Sequence, residues 1–150
     1  MRIGLLLALA VGLVACASGP PVPVEIDTRN DHCDSCRMAI SDQRFAAQVV
    51  APGEEPKRFD DVGCLRDWLG RDPQLAPGAV AFVADHRTRA WVRAADATYA
   101  RGPGLSTPMA SGIVAWADDA SRASDPEAAG AVVVPLADVF GPAGPPSGAR

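Results

Sequence analysis

The chain has 150 residues, with 14 basic against 18 acidic side chains and a formal charge of −4. That mildly acidic balance argues against a nucleic-acid partner and leaves no polybasic patch for a membrane surface. With residues 1–15 set aside as an address segment, the other 135 suffice for one domain or two small lobes with a real core, but not for several independent domains.

At the N-terminus Arg2 precedes the apolar run Ile3-Gly4-Leu5-Leu6-Leu7-Ala8-Leu9-Ala10-Val11-Gly12-Leu13-Val14, so residues 1–15 read as a signal segment. The run is shorter than the ~20 apolar residues that a spanning helix needs. It ends in Leu13-Val14-Ala15-Cys16, which resembles the lipobox of bacterial lipoproteins and would make Cys16 the lipidated residue. The alternative is an ordinary signal peptide cut near Ala15 to Ser18. Residues 16–30, which include Gly19-Pro20-Pro21-Val22-Pro23, are expected to form a flexible tether. In lipoproteins an Asp after the lipidated Cys favours the inner membrane. Here that residue is Ala17, so the expected anchor is the outer membrane, facing the periplasm.

Three strand-like segments follow, at residues 45–51, 57–59 and 79–84, the first two joined by the turn chemistry of Pro52-Gly53-Glu54-Glu55. Between the second and third, two aspartates precede Val62, Leu65, Trp68 and Leu69 at helical spacing, and Gly70 marks a stop. The order is strand, strand, helix, strand. A looser echo is expected in the second half. It has a strand at residues 90–93, a small-residue helical turn near 94–100, a strand at 112–116, a helix capped by Asp118, and a strand at 131–134. Pro126 either ends that helix near Ser124 or starts a new turn capped by Asp125. The predicted class is α+β, with two small ββαβ lobes, mixed or antiparallel sheets and a helix packed on each. The lobes span residues 31–100 and 101–136, with residues 101–105 linking the halves. Residues 137–150, rich in Pro and Gly, are expected to be disordered.

Chemistry concentrates in His32-Cys33-Asp34-Ser35-Cys36-Arg37-Met38, where two thiols and a thioether fall together. Soft sulfur ligands select copper(I) over hard cations. If the chain is extended beyond Cys36, residues 36 and 38 share a face and can reach one ion. Once Met1 is removed only Met38 and Met109 remain, and neither sits in an apolar run; both can equally be gap-filling residues. His32 and His86 can each offer an imidazole nitrogen or be ordinary polar residues. Asp60 and Asp61 are explained by helix capping, and Cys64 by burial of a small residue in the helix. Competing readings of the cysteines are a structural disulfide, a thiol-exchange motif and a zinc site of Cys33, Cys36, Cys64 and a histidine.

Together these motifs resemble the NosL family. They are the lipobox, CxxCxM at Cys33, Cys36 and Met38, then Phe45-Ala46-Ala47-Gln48, Phe59-Asp60-Asp61-Val62-Gly63-Cys64-Leu65, Trp91-Val92, and Thr107-Pro108-Met109 running into Gly112-Ile113-Val114-Ala115-Trp116. The resemblance covers roughly residues 30–134. It implies two ββαβ lobes in a copper-binding lipoprotein associated with maturation of the copper centres of nitrous oxide reductase. By position it makes Cys36 and Met38 the leading ligands, Met109 the next, Cys33 a candidate and His86 a weaker carry-over. One departure stands out, since the family usually has Gly where this chain has Arg37.

The function implied is carriage of copper(I) to apo nitrous oxide reductase or another periplasmic cuproenzyme, with no bond made in a substrate. One rival is an enzyme resembling organomercurial lyase, with Cys36, Cys64 and Asp60 in its roles. The other is a structural lipoprotein held by a disulfide.

Overall fold

Gly53, at φ 75°, closes the turn that brings β1 (Ala47–Val50) back as β2 (Lys57–Phe59), with Gln48 opposite Arg58. The chain is described by a computed structural model over residues 19–148; the expected signal segment and the expected lipidation site Cys16 lie outside the described residues. After β2, the Asp61 carboxylate accepts the Gly63 N–H and starts α1 (Val62–Leu69), which stops at Gly70. A side-chain acceptor for an otherwise orphaned N–H is what fixes a helix start. The apolar stripe of α1 buries Val62 and Leu65. β3 (Val80–Ala84), buried along its length, returns antiparallel to β1 on the side away from β2. β4 (Trp91–Arg93) then adds to its outer edge, giving the order β2-β1-β3-β4.

The second sheet repeats the plan, with β5 (Thr98–Arg101) central between β6 (Val114–Trp116) and β7 (Val132–Val134), again antiparallel. α2 (Asp119–Ala123) lies between the second and third strands of this unit, as α1 does in the first. The entry to the helix is also repeated. β2 ends at Phe59 and Asp61 caps α1, while β6 ends at Trp116 and Asp118 caps α2. Both alternatives at Pro126 are realised, because α2 closes at Ser124 and a short 3-10 turn, Pro126–Ala128, restarts with Asp125 as its cap. The class is therefore mixed α+β with two small antiparallel sheets, as expected.

The two sheets share a core in which Phe59, Leu65 and Val83 of the first pack with Tyr99, Ile113 and Val139 of the second half. Backbone bonds join them as well, since the His86 N–H donates to the Ala115 carbonyl at 2.9 Å. Asp85 accepts the Ala117 N–H at 2.7 Å.

Four details depart from the expectation. The strand at Trp91–Arg93 belongs to the first sheet and does not open the second. The alanine-rich stretch 94–100 is not helical. Tyr99 is buried there with its hydroxyl donating to the Ala94 carbonyl at 2.7 Å, and tertiary burial of a β-favouring residue outweighs the helix propensity of its alanine neighbours. The C-terminal region is ordered where disorder was expected. α3 (Leu136–Phe140) buries Val139 and sets the Phe140 ring 5.6 Å from Tyr99. Beyond it, Pro146 accepts the Ala81 N–H at 2.7 Å and Gly148 donates to Ala79 at 2.9 Å. Part of the expected tether is also docked, because the Gln48 amide pairs with the N–H and C=O of Val24 at 2.9 and 3.0 Å, and Ile26 is buried.

Candidate metal centre

The CxxCxM segment forms a tight hairpin. The Ile40 N–H donates to the Asp31 carbonyl at 3.0 Å and the Cys33 N–H to the Met38 carbonyl at 2.8 Å. Inside that stem the Arg37 N–H returns to the Cys33 carbonyl at 2.8 Å. Closing so short a loop places Arg37 at φ 69°, the left-handed region where glycine fits without strain. Glycine, the residue that the resemblance leads one to expect there, takes this angle without that cost. The tight loop removes the premise that put residues 36 and 38 on one face, because the chain turns there and is not extended.

Asp34, between the two cysteines, docks the hairpin on β2. Its N–H donates to the Arg58 carbonyl and its carboxylate accepts the Arg58 N–H, both at 2.8 Å. The thiols are thereby carried to the point where β2 passes into α1. Cys33, Cys36, Asp60 and Cys64 gather there with one ligand atom from each lying within 4.8 Å of all the others. The Cys36 sulfur stands 3.7 and 3.8 Å from the two Asp60 oxygens. Cys33, Asp60 and Cys64 are buried, Cys36 is partly exposed, and all three cysteines are free thiols.

Burial pushes the Cys33 thiol above its ordinary pKa, against the opposing pull of the Cys36, Asp60 and Ser35 amides. Cys64 is pushed up by burial first and then by the negative charge available on Cys33 and Asp60. A metal ion supplies the positive charge that this cluster lacks, and its binding would expel thiol protons. Three sulfurs and one carboxylate form a donor set suited to a soft or borderline ion, not to calcium or magnesium.

Cys36 and Cys64 also line a shallow cavity of about 360 Å³, with Met109 and the side chains of Arg66 and Arg71. Met109 reaches it on the loop 107–112, where the Gly112 N–H donates to the Thr107 hydroxyl at 3.1 Å and the Met109 N–H to the Asp61 carboxylate at 3.1 Å. Met109 is 37% exposed and Met38 is 48% exposed; Met38 is not among the residues lining the cavity. A larger cavity, about 620 Å³, lies between the loop after α1 and the C-terminal region and includes no cysteine or methionine.

His86 is not brought to the thiols. It is buried between Phe45 and Trp116, its Nδ1 2.7 Å from an Asp125 oxygen that also accepts the Trp116 indole N–H at 2.9 Å. Burial pushes the Asp125 carboxyl up, but hydrogen bonds from His86, Trp116 and the Glu127 amide hold it below the usual carboxylate range. His32 is exposed and also stands outside the cluster. Conversely, Asp60 and Cys64 join the site although capping and burial suffice to explain each singly. In the sequence their company is visible only in the rival readings, the zinc site of Cys33, Cys36 and Cys64 and the lyase-like set of Cys36, Cys64 and Asp60.

A comparison with protein families matches the model described as NosL to residues 23–140. No curated protein matches the chain.

Proposed function

The chain belongs to the NosL family, and on that premise we propose that it is a copper(I)-binding lipoprotein that hands its ion to apo nitrous oxide reductase or another periplasmic cuproenzyme. The observation that supports this is the gathering of three free thiols and Asp60 within 4.8 Å, behind an opening that Cys36 and Met109 line. In this reading Cys36 meets the ion first, because it alone of the three thiols is partly exposed. Met109, lining the same cavity, offers a neutral sulfur, Cys33 and Cys64 complete the set, and Met38, exposed outside the cavity, stays a candidate thioether that the titration below tests. A recipient's ligands replace Cys36 and Met109 first, so ligand exchange proceeds from the open side. The lipid on Cys16 would hold the carrier at the outer membrane, facing the periplasm, and raise its effective concentration there.

An anaerobic copper(I) titration of the reduced full chain against a competing chelator tests the donor set. One ion should be held per chain. Cys36→Ser should abolish retention, and Met38→Leu and Met109→Leu should each weaken it. Retention unchanged in all three variants would remove the site from consideration.

A second reading has one observation in its favour. Two thiols and a carboxylate in mutual reach could cleave a carbon–mercury bond, the sulfurs taking the metal while a proton released from a thiol passes by way of the Asp60 carboxylate to the carbon. Such an enzyme would keep its activity in Met109→Leu and lose it in Asp60→Asn. A copper carrier would show no release of hydrocarbon in either protein.

A further inference from the structure

Asp61 does more than cap a helix. One of its oxygens accepts the Gly63 N–H that starts α1, and the same oxygen accepts the Ser111 hydroxyl, from a residue 50 positions along the chain. The other oxygen accepts the Met109 N–H at 3.1 Å, and the carboxylate is completely buried. Ser111 is itself tied into its loop, since its hydroxyl accepts the Ile113 N–H at 3.2 Å. A single side chain therefore spans from the first turn of the helix that carries Cys64 to the loop that carries Met109.

A second observation, independent of those hydrogen bonds, concerns Gly63. A Cβ built on it would meet the Ser111 Cβ at 2.5 Å and an Asp61 oxygen at 2.9 Å, far inside ordinary contact. Within a helix glycine is otherwise a poor choice, disfavoured relative to alanine. The cost is explained by the Ser111 side chain, which rests directly on the helix at that point.

Resting on the reading of Met109 as a sulfur donor, we infer that Asp61, Gly63 and Ser111 form a clasp that sets the position of the Met109 thioether relative to the thiols. They are positioning residues: none supplies a donor atom, and together they decide whether a neutral sulfur is part of the site. Without the clasp the thiol cluster persists, but the cavity wall that carries Met109 is free to move away. The clasp thus tunes preference among thiophilic ions. Silver(I) and copper(I) gain from the added thioether, whereas a divalent ion satisfied by three thiolates and a carboxylate does not.

Three variants of the full chain test this. Asp61→Asn keeps a good capping oxygen, but its amide nitrogen cannot accept the Met109 N–H. Ser111→Ala removes one anchor with the least disturbance. Gly63→Ala improves helix propensity and forces the loop off. Silver(I) affinity is measured by competition, cadmium(II) affinity by its thiolate absorption, and the loop by the Met109 methyl resonance and amide exchange in metal-free protein. Substituting groups that orient metal ligands typically costs about 10–100-fold in affinity. The expected loss for silver(I) is about tenfold in Asp61→Asn and Gly63→Ala, a similar loss in Met109→Leu, no further loss in the Asp61→Asn/Met109→Leu double variant, and cadmium(II) binding within about twofold of the parent.

Parent-like silver(I) affinity in Asp61→Asn and Gly63→Ala overturns the clasp, as does a double variant whose losses multiply. If Met109→Leu alone leaves silver(I) affinity intact, the thioether assignment falls and the clasp's role in metal binding falls with it. In that case the amide exchange still reports whether Asp61 holds the loop. Should Asp61→Asn fail to fold, Ser111→Ala and Gly63→Ala carry the same comparison.

Discussion

Cys64 is the third residue of α1, where the positive end of a helix favours a thiolate. Burial and the neighbouring negative groups act the other way and prevail, so its thiol, like that of Cys33, is raised. A raised acid keeps its proton in the folded state. The stability it contributes is present below the unfolded thiol value, near 9.0, and is lost as the pH rises through the folded values. Buried Tyr99, also raised, acts in the same direction. The reduced, metal-free chain should therefore lose thermal midpoint between about pH 8 and about pH 10, and Cys64→Ala should flatten the fall. A midpoint indifferent to pH across that window would contradict the assignment of buried neutral thiols. At this scale the sequence displays the thiols, and their company only in the zinc and lyase-like readings that compete with the Cys/Met one. Asp60 reads as a helix-opening acid and Cys64 as a small buried residue until the hairpin lands on them. Arg37 shows the same limit, because nothing in the one-letter string announces that its φ is positive.

Among the elements, the hairpin of residues 31–40 depends on β2 for its place, through the paired bonds between Asp34 and Arg58. Asp34→Ala leaves the Arg58 N–H without its acceptor, and an unsatisfied backbone donor in a part-buried site costs about 1–3 kcal/mol. Denaturant unfolding should show a loss in that range, and thiol reagents should reach Cys33 sooner than in the parent. Superimposable unfolding curves and equal labelling rates would mean the hairpin holds its position without this pair. Elements with strong local signals are legible in advance. The Pro52-Gly53 turn, the aspartate-capped start of α1 and the restart at Pro126 all follow from side chains acting on neighbouring backbone. What local signals miss is partnership at a distance. Trp91–Arg93 is a strand on either reading, but only its pairing with β3 assigns it to the first sheet. The stretch before Tyr99 looks helical until Tyr99 is buried.

Over the whole molecule, the shared core makes the C-terminal region part of the fold. Val139 is buried against both halves and Phe140 stacks edge-on to Tyr99 of the central strand β5. Val139→Ala should cost about 1–3 kcal/mol by lost burial and the space left behind, read as a lower midpoint in denaturant. An unchanged midpoint would mean α3 detaches without consequence. Composition misleads here, because Pro and Gly suggest a chain unable to pack, whereas the backbone of residues 146–148 bonds to the segment entering β3.

The repeated ββαβ plan has a consequence for the donors themselves. Aligned on the capping aspartates Asp61 and Asp118, Asp60 corresponds to Ala117 and Cys64 to Ser121. The second unit thus builds the same strand-to-helix junction with a methyl group and a hydroxyl where the first has a carboxylate and a thiol. The architecture makes no demand for either donor. The molecule contains a twin of that junction without its donors, and the chemistry of the first is an addition to a shared scaffold.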